Sequence, residues 1–492
     1  MTVSTLSVRL RRSAAALALG IALAGCGGAV NPATGQSEFS LIPESQDYAM
    51  GAEAHREVIA EYGGVYENPR VQAFVENIGR RLAQATGRPD IRYTFTLLDS
   101  DMVNAFATPG GFVYITRGML AVAQDEADIA AVMGHEIGHV TARHSASRQT
   151  QSVFAQLGAA VLGAVTGSEG LANIAGVGAG AWLAKHSRDD EFQADELGVR
   201  YLVGAGYDPG AMSTLLQGLE RSSQLEQAMA GGRGGGFDFF STHPQTPDRI
   251  ERAERMAAQT GQQGGYRGRE EYLRAVDGMT YGENPSQGLV EGTGFVHPEL
   301  GFRFDVPRGF RIRNAPDKVT ATAQDGSAIV FDMEGQARQF GGSMAQYLAR
   351  GWPRDIPLDD IRPIRMPGGV DAATGTARLQ AKGGGRVDAR FVAIRTGEGD
   401  IYRFRLLTQR LTRDLDAAFL ETAASLRPLS AGERSRIRPA RLRVVQVRPG
   451  DTVQSLAARM NVPDTPVERF LVLNALGQRD QLQPGWMVKV VE

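Results

Sequence analysis

His135-Glu136-Ile137-Gly138-His139 spells H-E-x-x-H. On a helix, residues four apart share a face, so the two imidazoles can grip one divalent ion while the intervening carboxylate sits beside it. Zinc held in this way brings the pKa of water near neutrality, and the glutamate can take the proton; the chemistry is hydrolysis. Two imidazoles leave a tetrahedral ion short of one protein ligand.

Upstream, Gln124-Asp125-Glu126-Ala127-Asp128 supplies a charged first turn, and Ile129 to Met133 an apolar stretch, which predicts a buried helix carrying the pentad. A metzincin would place its third histidine where Ser145 stands and its glycine marker where Ala142 stands, so that class is excluded. His144, five residues after His139, points about 140° away on a continuous helix and reads as solvated or as a partner behind a ligand. The better third ligand lies in Ser187-Arg188-Asp189-Asp190-Glu191-Phe192-Gln193-Ala194-Asp195, which opens a second helix. Glu191 and Asp195 share a face there, so one can ligate the ion while the other orients a ligand histidine.

Four motifs occur in one order: Asn104 to Gly118, the H-E-I-G-H helix, the Glu191 to Asp195 segment, and Ser241-Thr242-His243-Pro244 followed by Asp248-Arg249-Ile250. This set, over residues 31 to 260, resembles the gluzincin metallopeptidases related to the CAAX prenyl proteases, in particular their soluble periplasmic BepA-like members. The resemblance implies a mostly α zincin-like catalytic domain with a small β-sheet and one zinc ion. It makes His135, His139 and Glu191 the ligands, Glu136 the general base and Asp195 the acid behind a ligand histidine. His243 and Arg249 match a late His-Pro motif near the metal, where either can face a tetrahedral oxyanion. His243 follows the glycine-rich Gly231 to Gly236, so a second expectation is a lid histidine that fills the open metal position and keeps the enzyme latent. Phe112 to Ile115, bounded by Pro109-Gly110-Gly111, is expected as an edge strand beside the metal to which an extended substrate adds, the alternative being an ordinary core strand of the catalytic domain.

Arg9, Arg11 and Arg12 precede an apolar run, Ala14 to Ala24, of signal-peptide length. Leu23-Ala24-Gly25-Cys26 looks like a bacterial lipoprotein box. Cys26 is the chain's only cysteine, so no internal disulfide is available, and lipid attachment at the periplasmic face of the outer membrane is the expectation. A second apolar run, Ser152 to Ala184, is interrupted at Thr166 to Gly170, and each half is too short to span a bilayer. It reads as two small-residue helices over the site.

A length of 492 residues implies roughly three domains. With 53 basic against 55 acidic residues and no polybasic tract, nucleic-acid binding is excluded as a function class. The organisation reads as signal peptide 1–25, metallopeptidase 26–265, linker 266–290 opening with a short helical piece, an α+β accessory domain 291–430 with short alternating strands, and a C-terminal module 440–492. His297 in the accessory domain reads as structural. Val447 to Thr452, Phe470 to Leu476 and Leu482 to Gly485 give the tail a strand, helix, helix, strand order that resembles a LysM module, which implies peptidoglycan as a ligand, although Ala475 stands where glycine is usual. The function expected is a zinc endopeptidase degrading unfolded or misassembled envelope proteins; the alternative is a mostly latent chaperone-like or peptidoglycan-binding adaptor.

Overall fold

The computed structural model describes residues 29–38, 40–153, 186–229, 239–244, 247–334, 340–380, 385–396 and 399–492. The signal segment with Cys26, most of Ser152 to Ala184 and the Gly231 to Gly236 run lie outside the described residues. Among the described residues no helix is long and apolar enough to cross a membrane.

The catalytic region is mostly helical around a three-stranded sheet of β1 (Thr94–Leu98), β2 (Ala105–Thr108) and β3 (Phe112–Thr116). The strand order corrects one expectation. Phe112–Thr116 lies in the middle, parallel to β1 and antiparallel to β2, and Ala105–Thr108 is the edge. The cause is the turn between them: Gly110 (φ 76°) and Gly111 (φ 92°) occupy left-handed backbone and fold β2 back on β3. All five β3 residues are buried, as a central strand requires.

Helix α1 (Glu126–Thr141) carries the pentad, and Asp125 caps it by accepting from the Asp128 amide. Helix α2 (Arg188–Gly204) begins at a capping box in which Ser187 and Asp190 exchange bonds. The two helices touch backbone to backbone through small residues. A Cβ on Gly138 would stand 3.0 Å from the Ala194 carbonyl oxygen, and one on Gly198 would stand 3.1 Å from the His135 nitrogen. That closeness lets side chains from both helices meet at one point. Helices α3 (Ala211–Met229), α4 (Phe239–Thr242) and α5 (Pro247–Gln259) complete the wall.

Within residues 266–290, read as a short helical piece and a linker, helix Arg269–Val276 buries Tyr272, Leu273 and Val276. Its apolar face is covered partly by the C-terminal module, a long-range contact that local sequence does not display. Beyond it, a seven-stranded antiparallel sheet and a four-stranded sheet, with helices Met344–Arg350 and Arg413–Ala424, form the α+β region with its own apolar clusters. His297 accepts from the Leu300 amide at 3.3 Å and packs against Phe302, a local structural role.

The C-terminal module pairs Leu442–Gln446 with Met487–Val491 and holds helices Val453–Ala457 and Pro466–Leu473 between them. Its buried Leu442, Leu456, Phe470 and Val488 are continuous with the catalytic core at Leu120 and Tyr272. Lys489, fully buried, donates to the Ala121 carbonyl at 2.8 Å, to the Ala123 carbonyl and to the Tyr272 hydroxyl at 2.9 Å. The Gln124 amide reaches the Leu473 carbonyl at 3.1 Å, and Arg221 reaches the Ala475 carbonyl at 3.1 Å. The module is therefore docked on the segment that leads into α1. Ala475 itself takes a left-handed φ of 52°, the conformation for which glycine is the easier residue.

Candidate metal centre

His135, Glu136 and His139 project from one face of α1 and are buried. Glu191 and Asp195 reach them from α2, His243 from the end of α4, and Arg249 from α5. All seven converge. His135 Nε2 and His139 Nε2 are 3.0 Å apart, and His243 Nδ1 lies 3.3 Å from His135 Nε2. Glu191 Oε1 is 3.0 Å from His243 Nδ1 and 3.4 Å from His139 Nε2. A tetrahedral zinc with bonds near 2.0–2.1 Å separates its donors by about 3.3 Å, so these four atoms stand close to the corners of such a polyhedron. Two neutral imidazoles and a carboxylate, joined by a third imidazole, are the donor types that suit this metal.

Each acid has a separate task. Asp195 Oδ1 lies 2.8 Å from His135 Nδ1, so when that nitrogen carries the proton, Nε2 keeps its lone pair for an ion. Arg249 donates to both Asp195 oxygens, at 2.9 and 2.8 Å, and its third nitrogen lies 2.7 Å from Glu191 Oε2. Its guanidinium is thus committed to two carboxylates, a bidentate fork on one and an ion pair with the other. Burial would raise the Glu191 carboxyl, but His243, His135 and Arg249 outweigh it and hold the group well below the usual range. Asp195 is lowered as well, because Arg249 and His135 overcome the same burial. His135 is raised: burial alone would lower it, and Asp195 and Glu191 prevail. His139, buried beside other imidazoles, is pushed well below its ordinary value.

Burial pushes the Glu136 carboxyl up from its ordinary value, against the pull of His243 and His135. Among the described residues Glu136 Oε1 has no hydrogen-bond partner, and neither has His243 Nε2, 3.5 Å away. Buried orphan atoms at such a spot are what remains when a polar ligand belongs between them. The site residues thus fit a metal centre.

Two histidines lie partly or wholly outside the sequence reading. His144 is buried behind His139, the second of its two sequence readings, rather than solvated, because α1 ends at Thr141 and Arg143 takes a left-handed φ of 53°. His186 stacks on His243 with ring centroids 5.0 Å apart and lies 3.8 Å from the His139 ring. Nothing in its local sequence marks it; it only precedes the Ser187 cap. Alongside His139 runs a cleft of about 250 Å³, bordered by Tyr48, Ile91, the edge-strand residues Ala107 and Thr108, Arg143 and Ala146.

Residues 69–257 match peptidase family M48, and residues 445–491 match the LysM domain. The chain is 29% identical over 237 residues to the beta-barrel assembly-enhancing protease of Yersinia pestis, covering 46% of this chain and 47% of that one. It is 29% identical over 232 residues to the mitochondrial metalloendopeptidase OMA1 of Schizosaccharomyces pombe, covering 45% and 64% respectively. The corresponding protein of Saccharomyces cerevisiae is 33% identical over 30% of this chain and 41% of its own length. The matched part thus spans about half the length of the bacterial relative. Residues 69–257 of this chain are a peptidase family M48 domain, and its C-terminal residues 445–491 are a LysM domain.

Proposed function

We propose that the chain is a zinc-dependent endopeptidase of the bacterial cell envelope that degrades unfolded or misassembled periplasmic and outer-membrane proteins and is largely latent at rest. The carrying observation is the buried donor set of His135, His139 and Glu191 with Glu136 beside it, whose Oε1 has no hydrogen-bond partner among the described residues. Zinc bound there supplies Lewis acidity toward a peptide carbonyl and toward water. Glu136 accepts the proton from the attacking water and passes it to the leaving nitrogen. Asp195 holds His135 in the tautomer that binds, and Arg249 holds Asp195 and Glu191 in place. His243 is either withdrawn, leaving a position open for substrate, or seated at the fourth corner; its Nδ1, 3.3 Å from His135 Nε2 and 3.0 Å from Glu191 Oε1, supports the seated reading.

The edge strand β2 borders the cleft beside His139, so an extended chain can add to it through backbone bonds that read shape more than sequence, which suits unfolded substrates. The substrate class and the envelope location are supported by the relatives named beta-barrel assembly-enhancing protease, by the LysM domain and by the lipoprotein-like sequence around Cys26. Lipid on Cys26 and peptidoglycan on the LysM domain would hold the enzyme at the outer membrane's periplasmic face. An adaptor that only holds its partners is favoured by one observation, the seated His243.

Casein cleavage by the purified full chain, with and without chelator and with Glu136→Gln, separates the two. Activity lost in both treatments supports the enzyme; one zinc per chain with no cleavage, even in a His243→Ala protein, supports the adaptor.

A further inference from the structure

We propose that His144 is a positioning residue for metal binding: its imidazole accepts the Nδ1 proton of His139 and thereby fixes which nitrogen of His139 faces the ion. This rests on the zinc reading above and extends it to a residue outside the ligand set.

His139 Nε2 points to the donor cluster, 3.0 Å from His135 Nε2 and 3.4 Å from Glu191 Oε1. To offer a lone pair there, the ring must carry its proton on Nδ1. That nitrogen lies 2.7 Å from His144 Nδ1, both rings being buried. His144 can accept only if its own proton is on Nε2, and Nε2 lies 2.9 Å from Gln193 Oε1, an acceptor. Gln193 in turn donates from its amide nitrogen to Gln36 Oε1 at 3.3 Å. One proton arrangement satisfies every link, and it leaves His139 Nε2 free. Reversing it would set two N–H groups against each other between His139 and His144, or an N–H against the ion.

The two motif histidines are therefore backed by the same helix. Asp195 backs His135 directly, and Gln193, two residues earlier on α2, backs His139 through His144. A second group keeps His144 in place. Arg143, in its left-handed turn, donates to Asp47 at 2.8 and 3.1 Å, to Glu38 at 3.0 Å and to the Ile42 carbonyl at 2.9 Å, so the backbone is pinned where the chain reverses toward His139.

His139, His144 and His186 also lie close enough to be considered together as donors. An ion there would need His139 to bind two metals through its two nitrogens at once, and the 2.7 Å contact with His144 is instead a hydrogen-bond length.

The test measures zinc affinity by chelator competition on the full chain. His144→Asn keeps an acceptor at the Nδ1 position, and His144→Leu keeps the volume without it. Removing the acceptor behind a ligand histidine weakens zinc binding by about 10- to 100-fold in His144→Leu, whereas His144→Asn stays within about threefold of wild type. Metal-free proteins are compared by thermal unfolding. If His144→Leu does not fold, Gln193→Met, which removes the acceptor for His144 Nε2–H together with the exposed donor to Gln36, is the second variant, expected to weaken binding several-fold. Equal affinity in wild type and His144→Leu, or in wild type and Gln193→Met, overturns the proposal. So does equal loss in the Asn and Leu variants, or two zinc ions per wild-type chain with one lost in His144→Leu. A wild-type chain that binds no zinc overturns the zinc reading itself, a distinguishable result.

Discussion

Replacing His243 by alanine sets the two tasks of this side chain against each other with opposite signs. The His243 ring stacks on Phe239 with centroids 4.3 Å apart at 13° and on His186 at 5.0 Å and 18°. Aromatic pairs of this kind contribute about 0.5–1.5 kcal/mol each beyond area burial, so the two together favour the seated ring by about 1–3 kcal/mol before any bond to metal is counted. Since 1.4 kcal/mol is about tenfold in an equilibrium, this is a preference of about 5- to 160-fold, and at most about one molecule in six is open at rest. His243→Ala removes the occupant of the fourth corner and should raise the initial rate of casein cleavage by about sixfold or more. The assay is run with zinc in the buffer, because the variant also loses a donor. If His243 instead served mainly as the donor to an oxyanion, its loss would lower turnover by about 10²–10³. A fall of that size with zinc still bound would refute the latch argument.

Glu136→Gln keeps the shape of the site and removes the base; kcat/KM for peptide cleavage should fall by about 10²–10⁴ while zinc content stays at one per chain. Arg249→Ala leaves the buried carboxylates of Asp195 and Glu191 without their cation, which should cost about 3–5 kcal/mol, read as a lower midpoint in urea unfolding of the metal-free protein. Lys489→Met removes the donor to the Ala121 carbonyl, while Tyr272 still serves Ala123. The expected loss is about 1–3 kcal/mol, together with faster limited proteolysis after the catalytic region. If Lys489→Met were neutral, the LysM domain would be only loosely seated.

The parts of this molecule that local chemistry dictates were legible in the sequence. The pentad and its charged first turn placed α1, and Ser187 with Asp190 placed the start of α2. The α+β region and the strand, helix, helix, strand order of the tail could also be read from alternation and turn residues. What escaped depends on contacts distant in sequence. His144 was placed by assuming a continuous helix, whereas Arg143 is bound by Asp47 and Glu38, about a hundred residues earlier, in a turn that brings His144 back. Strand order is likewise invisible locally, so Phe112–Thr116 read as an edge although two neighbours cover it. The short helical piece at 269–276 was legible but its burial was not, because Tyr272 is held by the Leu120 and Ala123 carbonyls and by Lys489 of the tail. His186 has no periodic or capping signal at all, and its place beside His139 and His243 follows only from the fold.

The ligand set is tested most directly by zinc-edge X-ray absorption on the purified full chain and on His243→Ala. The account predicts one zinc per chain with only nitrogen and oxygen neighbours at about 2.0–2.1 Å, three of them imidazoles in the wild type and two in the variant. Sulfur in the first sphere, the same imidazole count in both proteins, or zinc that stays bound at full strength in Glu191→Gln would contradict it.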